Sequence, residues 1–140
     1  MRQILLFALL AASLALLIGC GAAKDKPEAA KDMPDKAAYH KISAEEAYEM
    51  MASQEVVVVD VRTREEYDGG HIENAVLVPN ESICSEMPEA LPDKEATLLI
   101  YCHSGRRSKD AAQKLLALGY QSVYDFGGVI DWPYELVKEG

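Results

Sequence analysis

Leu98-Leu99-Ile100-Tyr101-Cys102-His103-Ser104-Gly105-Arg106-Arg107-Ser108 is the stretch on which the reading of the fold turns. A short apolar run ends in a cysteine, a polar turn with one glycine follows, and a helix begins. Ala111, Ala112, Leu115, Leu116 and Leu118 recur at helical spacing, and Gly119 supplies the stop. A cysteine between a strand end and a helix start faces backbone N–H groups that have no intrahelical partner. Those donors and the helix dipole favour an anion, so the Cys102 thiol is expected to ionise readily. Arg106 and Arg107 add positive charge beside it. A cysteine kept only for packing needs neither the glycine nor the two arginines.

Working outward, residues 56–59 are four consecutive valines, too uniformly apolar for a half-exposed strand. They read as a central strand of a parallel sheet, buried on both faces and ending in Asp60-Val61-Arg62. Residues 39–42 read as a short strand. Ser43 and Glu46 then form a capping box for a helix with Ala47, Tyr48, Met50 and Met51 on its apolar face. A helical turn is expected around Thr63-Arg64-Glu65-Glu66-Tyr67, then the turn Gly69-Gly70-His71-Ile72 and a strand over residues 75–79. Further on come a helix over residues 81–87, a strand over 97–101, a last strand over 122–124 and a closing helix over about 129–137. Strands alternating with helices give an α/β domain on a mostly parallel sheet. Ligands of such sheets bind beyond the carboxyl ends of the strands, which brings Asp60, His71 and Cys102 towards one another.

The 140 residues suffice for one domain with a real core. The first nineteen are not expected to belong to it. Arg2 gives a positive start, and residues 4–18 are apolar except for Ser13. That run is short for a spanning helix and fits the core of a signal peptide. Leu17-Ile18-Gly19-Cys20 resembles a bacterial lipobox, which implies cleavage before Cys20 and its lipidation. Residues 20–38 mix charge, proline and alanine without large apolar side chains, the composition of a disordered tether. The folded domain then runs over residues 39–140. The resemblance implies lipid anchorage at the bacterial cell envelope, on the periplasmic face of the outer membrane or at the cell surface. Without the leader, 13 basic residues face 23 acidic ones, a charge of −10 that argues against nucleic acid as a partner. An anionic substrate needs a local basic patch, and Arg106 and Arg107 provide one. Cys84 and Cys102 are one pair, too few for a disulfide-built scaffold.

Four motifs, taken together, resemble single-domain rhodaneses. They are Asp60-Val61-Arg62-Thr63-Arg64-Glu65-Glu66-Tyr67; Gly70-His71-Ile72 with Ala75; Cys102-His103-Ser104-Gly105-Arg106-Arg107-Ser108; and Gly127-Gly128 with Trp132. The resemblance covers roughly residues 39–139. It implies a three-layer fold, a central mostly parallel five-stranded sheet flanked by helices. It also implies a sulfurtransferase that moves sulfane sulfur from thiosulfate or a persulfide donor to a thiol or other nucleophile. Cys102 would carry the sulfur as a persulfide, cradled by the backbone N–H groups of residues 103–108. A non-catalytic sulfur carrier or protein-binding module at the envelope is the alternative, with an acceptor protein as partner.

Elementary chemistry agrees with the cradle. A persulfide has an anionic outer sulfur, which converging N–H groups at a helix start stabilise, and Gly105 lets the backbone approach closely. The related cysteine phosphatases and arsenate reductases place arginine six positions after the cysteine and usually histidine before it. Here those positions hold Ser108 and Tyr101, so phosphate chemistry is not expected. His71 is expected to bond nearby backbone, because a low-pKa thiolate needs no base. Asp60 is expected to hold Arg107 or the cysteine loop in place, or to cap the turn at Thr63. Arg64, Glu65 and Glu66 read as a solvated face, and Cys84 as a packing residue in the helix over 81–87, ahead of a resolving thiol. His40, His71 and His103 are scattered, so neither a metal nor another cofactor is expected.

Overall fold

The computed structural model describes residues 38–138. The expected leader, the lipidated Cys20 and the tether up to residue 37 lie outside them. The first strand begins at Ala38, one residue inside the expected tether.

Five strands make one sheet: β1 (Ala38–Lys41), β2 (Val57–Asp60), β3 (Val76–Leu77), β4 (Thr97–Cys102) and β5 (Ser122–Gly128). Their order across the sheet is β1-β5-β4-β2-β3, and each neighbouring pair is parallel. The named strands are therefore all parallel, where a mostly parallel sheet was expected. Three α-helices, α1 (Ala44–Ser53), α2 (Arg64–Asp68) and α3 (Arg106–Ala117), cover it.

Strand β4 is central, and its last five residues are at most 1% exposed. Side chains alternate across a strand, so a strand buried on both faces must feed two cores. Leu98, Ile100 and Cys102 join Val59, Val61 and Val123 and pack against Ala111, Ala112 and Leu115 of α3. Leu99 and Tyr101 join Val58 and Phe126 on the other face, with Ala47 of α1 and Tyr67 of α2. Cys102 thus faces the α3 side and Tyr101 the α1/α2 side.

The expected capping box of α1 forms. The Ser43 hydroxyl accepts from the Glu46 N–H at 3.1 Å, and the Glu46 carboxylate accepts from the Ser43 N–H at 2.7 Å. Thr63 and Glu66 repeat the exchange at 3.3 and 3.1 Å, so Thr63 itself caps α2. Asp60 is not that cap.

Two expected helices are absent. In place of the helix over 81–87 there is one 3-10 turn, Asn80–Ser82, and then irregular chain. Pro88 biases Met87 away from helical geometry, and Ile83 is the one large apolar side chain of that stretch buried in the core. The chain after Pro88 is pinned by the Tyr120 hydroxyl donating to the Leu91 carbonyl at 2.5 Å and the Gln121 N–H donating to the Lys94 carbonyl at 3.0 Å. The closing helix is likewise one 3-10 turn, Val129–Asp131. Pro133 follows, and the chain runs out until Val137 exchanges two backbone bonds with His71, at 2.8 and 2.9 Å. That antiparallel bridge lies outside the named strands.

Candidate active site

Cys102 ends β4 with 1% of its surface exposed. The chain turns through His103 and Ser104, both exposed, to Gly105, whose φ of +94° is open to glycine at little strain. Helix α3 starts at the next residue with no side chain capping its N-terminus. The vacant capping position is taken by sulfur: the Gly105 N–H donates to Cys102 Sγ at 3.0 Å. Burial pushes the Cys102 thiol up, but the loop's donors, the N–H groups of Ser108, Gly105 and Ser104 among them, outweigh it. The thiol is held below its ordinary value, by the donors at the helix start that the sequence implied.

The loop rests on β5. A Cβ at Gly128 would stand 2.6 Å from the Ser104 Cα and closer still to the His103 carbonyl oxygen, so only glycine fits there. The approach is produced by a bulge. Ile100 pairs with Asp125 but Tyr101 pairs with Gly127, leaving Phe126 as the extra residue. Gly127 takes φ +94°, and its N–H donates to Asp125 Oδ1 at 2.9 Å.

Asp125 is a buried carboxylate, 1% exposed, that sequence reasoning passed over. Its Oδ1 accepts from the Ser108 hydroxyl at 2.7 Å and its Oδ2 from the Tyr39 hydroxyl at 2.8 Å. Lys41 Nζ lies 3.4 Å from Oδ1. One side chain therefore joins β1, β5 and the first turn of α3, with its charge answered by a lysine. Burial and then the Asp125 bond raise the Tyr39 hydroxyl to about 12, so it stays protonated and donates. An acidic residue within Tyr124-Asp125-Phe126, just before Gly127-Gly128, was the available signal.

Arg107 does not reach Asp60, contrary to expectation. It forks onto Glu66, Nη1 to Oε2 at 2.7 Å and Nη2 to Oε1 at 2.8 Å. The Arg107 fork, followed by the Thr63 N–H, holds the Glu66 carboxyl down at about 2, against a usual value of roughly 4.3. Glu66 is thus a bracket between α2 and the cysteine loop and not part of a solvated face. Arg106 is exposed.

Asp60 is fully buried on the opposite face of the sheet. It accepts from Arg62, with Nη2 to Oδ2 at 2.6 Å, and from the Tyr101 hydroxyl. That hydroxyl in turn accepts the Ile72 N–H at 3.1 Å. Asp60 therefore locks β2 to β4 one residue before the thiol, without touching the loop. His71 Nδ1 lies 2.9 Å from the Tyr67 carbonyl, so Nδ1 carries the proton, and the ring stacks on Tyr67 at 3.6 Å. It bonds nearby backbone, as expected. Cys84 is exposed, its thiol 3.7 Å from the Glu81 carbonyl, so it does not pack in a core.

Comparison with known proteins agrees with this construction. The sequence profile of the family described as Rhodanese-like domain matches residues 43–133. The chain is 31% identical over 106 residues to a tRNA uridine(34) hydroxylase of Yersinia pestis (strain Pestoides F), covering 72% of this chain and 30% of that protein. It thus spans under a third of the curated relatives it matches. A rhodanese-like domain protein from Staphylococcus aureus superposes with a TM-score of 0.62 at 32% identity, over 72% of this chain and 99% of that one. The human single-domain sulfurtransferase TSTD1 superposes with a TM-score of 0.59 at 27% identity, over 66% of this chain and 93% of that one. With its strand-end cysteine cupped by the start of α3, and with these likenesses in sequence and fold, the chain belongs to the family of rhodanese-like domains.

Proposed function

We propose that the protein is a sulfurtransferase in which Cys102 carries sulfane sulfur from thiosulfate or a persulfide donor to a thiol acceptor. The observation that carries this reading is the Gly105 N–H at 3.0 Å from Cys102 Sγ, in a loop whose donors hold the thiol below its ordinary value. In the first half-reaction the Cys102 thiolate attacks the outer sulfur of thiosulfate. A new S–S bond forms, the old one breaks, and its electron pair leaves with sulfite. The N–H groups that stabilised the thiolate then stabilise the outer sulfur of the persulfide. Arg106 at the rim raises the local concentration of an anionic donor, and Arg107 keeps the loop in register. In the second half-reaction the acceptor removes the sulfur, which gives ping-pong kinetics.

Intact mass after incubation with thiosulfate tests the reading. A gain of one sulfur atom is expected in the wild type and in Cys84→Ser, and none in Cys102→Ser. No gain with thiosulfate or with any organic persulfide would overturn it. The match to one part of a larger curated enzyme favours, as a second reading, a domain that holds or carries sulfur for a partner protein. A stable persulfide that no small thiol discharges is the result that would favour that reading. We further propose that Cys20 bears the lipid and that residues 20–37 tether the domain to the cell envelope.

A further inference from the structure

On the α1/α2 side of the sheet lies a hollow of about 690 Å³ with three aromatic walls, Tyr48, Trp132 and Tyr134. That volume falls within the range of small-molecule sites, roughly 300–1,000 Å³. Cys102 belongs to the core on the α3 side, whereas Ile72 and Trp132 pack in the other one. No residue of the cysteine loop lines the hollow, so it is a site apart from the thiol.

Its walls are tied to the sheet. The Trp132 N–H donates to the Val129 carbonyl at 3.2 Å, and the indole packs on Phe126 with 5.6 Å between centroids. The chain beyond it is fastened again where Val137 bridges His71. Ile72 is 3% exposed and gives its N–H to the Tyr101 hydroxyl, which fixes the start of the turn that carries Glu73. Tyr48 and Tyr134 stack at 3.9 Å with 19° between their planes, and Trp132 stands across them at 61° and 70°. Tyr48, expected on the apolar face of α1, is nevertheless 46% exposed, and Tyr134 is 38% exposed. A buried indole N–H ordinarily finds an acceptor. Trp132 Nε1 is buried and has none among the described residues, so ring contacts alone place this indole.

Two carboxylates, Glu73 and Glu135, share the hollow with the rings, and no basic residue lines it. Both are exposed, and neither makes a hydrogen bond or ion pair among the described residues. Such a site repels an anion, and a neutral apolar molecule has no use for its charges. A cation is drawn both by the carboxylates and by the ring faces, whose quadrupole is negative. A metal ion would keep its water and leave the rings unused, whereas an organic ammonium ion also packs its carbons on them. We propose that the hollow binds a small organic ammonium ion. Its carbons lie against Tyr48, Trp132 and Tyr134, and Glu73 and Glu135 answer its charge.

Trp132 is the only tryptophan of the chain, so its fluorescence reads the hollow directly. The full chain is titrated at low salt with choline and with 3,3-dimethylbutan-1-ol, which has the same shape without the charge. Choline should change the emission saturably and bind about tenfold tighter than the alcohol. Glu73→Gln and Glu135→Gln should each weaken choline about threefold, as expected of exposed charge pairs, and leave the alcohol unchanged. Tyr134→Ala should weaken choline about fivefold through the lost ring. Glu89→Gln, outside the hollow, should change nothing. Equilibrium dialysis with labelled choline measures the same binding without relying on the indole. Equal affinity for choline and the alcohol, or no saturable uptake of choline in dialysis, overturns the assignment. So does choline binding that is the same in the wild type and in all three variants of the hollow.

Discussion

At the scale of single residues, the thiolate depends on an atom that is missing. Gly128 has no Cβ, and the loop occupies the space a Cβ would fill, with backbone on the far side. Backbone cannot swing aside as a side chain can, so Gly128→Ala should push the loop away from β5. A destabilisation of about 3 kcal/mol, the upper end for overpacked sites, is expected, measured by urea unfolding. The same variant should titrate Cys102 at a higher pH than the wild type, because the displaced N–H groups no longer converge on sulfur. An unchanged thiol titration in Gly128→Ala would show that the loop holds its shape without β5. Asp125 acts from the same strand: it fixes the Ser108 hydroxyl at 2.7 Å and so the backbone of the turn that faces the thiol.

At the scale of elements, α2 and α3 are joined by the fork between Glu66 and Arg107. The Glu66 carboxyl is depressed to about 2 in the folded protein, so the pair favours the folded state with Glu66 ionised. Its contribution is complete above the unfolded value of roughly 4.3 and is lost as pH falls from there towards 2. Both side chains are partly open to water, at 20% and 31% exposure, which limits the gain to about 1 kcal/mol. Arg107→Ala should lose about that much near neutrality and show a flatter acid limb below pH 4, read from thermal unfolding against pH. The elements themselves were legible where burial or capping dictated them: the valine run, the Ser43 box, and the strand, turn and helix around Cys102. Residues 81–87 and 129–137 were misread because the first stretch buries one large apolar side chain, Ile83, and runs into Pro88, and the second is interrupted by Pro133. The Arg107 partner was out of reach for another reason. Glu66 and Asp60 are both acidic and close in sequence, and only the folded chain shows that Asp60 is taken up by Arg62 and Tyr101 while Glu66, on α2, reaches Arg107.

At the scale of the whole molecule, the domain is acidic, with a net charge of −9 over the chain, and its basic charge near the site is concentrated at the start of α3. Among the described residues no helix is long and apolar enough to cross a membrane, so attachment in our proposal rests on Cys20. Cys20→Ser should accumulate as unprocessed precursor, seen as a larger band that takes up no labelled fatty acid. Normal processing of that variant would refute the anchor. The sheet order has a consequence for synthesis. Strand β5 is the last to leave the ribosome, yet it lies between β1 and β4. β1 therefore waits for a partner until the chain is almost complete, and its pairing joins the two paired strands farthest apart in sequence, Ala38 with Ser122. Until then the cysteine loop has no floor and Ser108 no carboxylate beneath it. A nascent chain carries Cys102 as an ordinary thiol, and its reactivity arrives with the final strand.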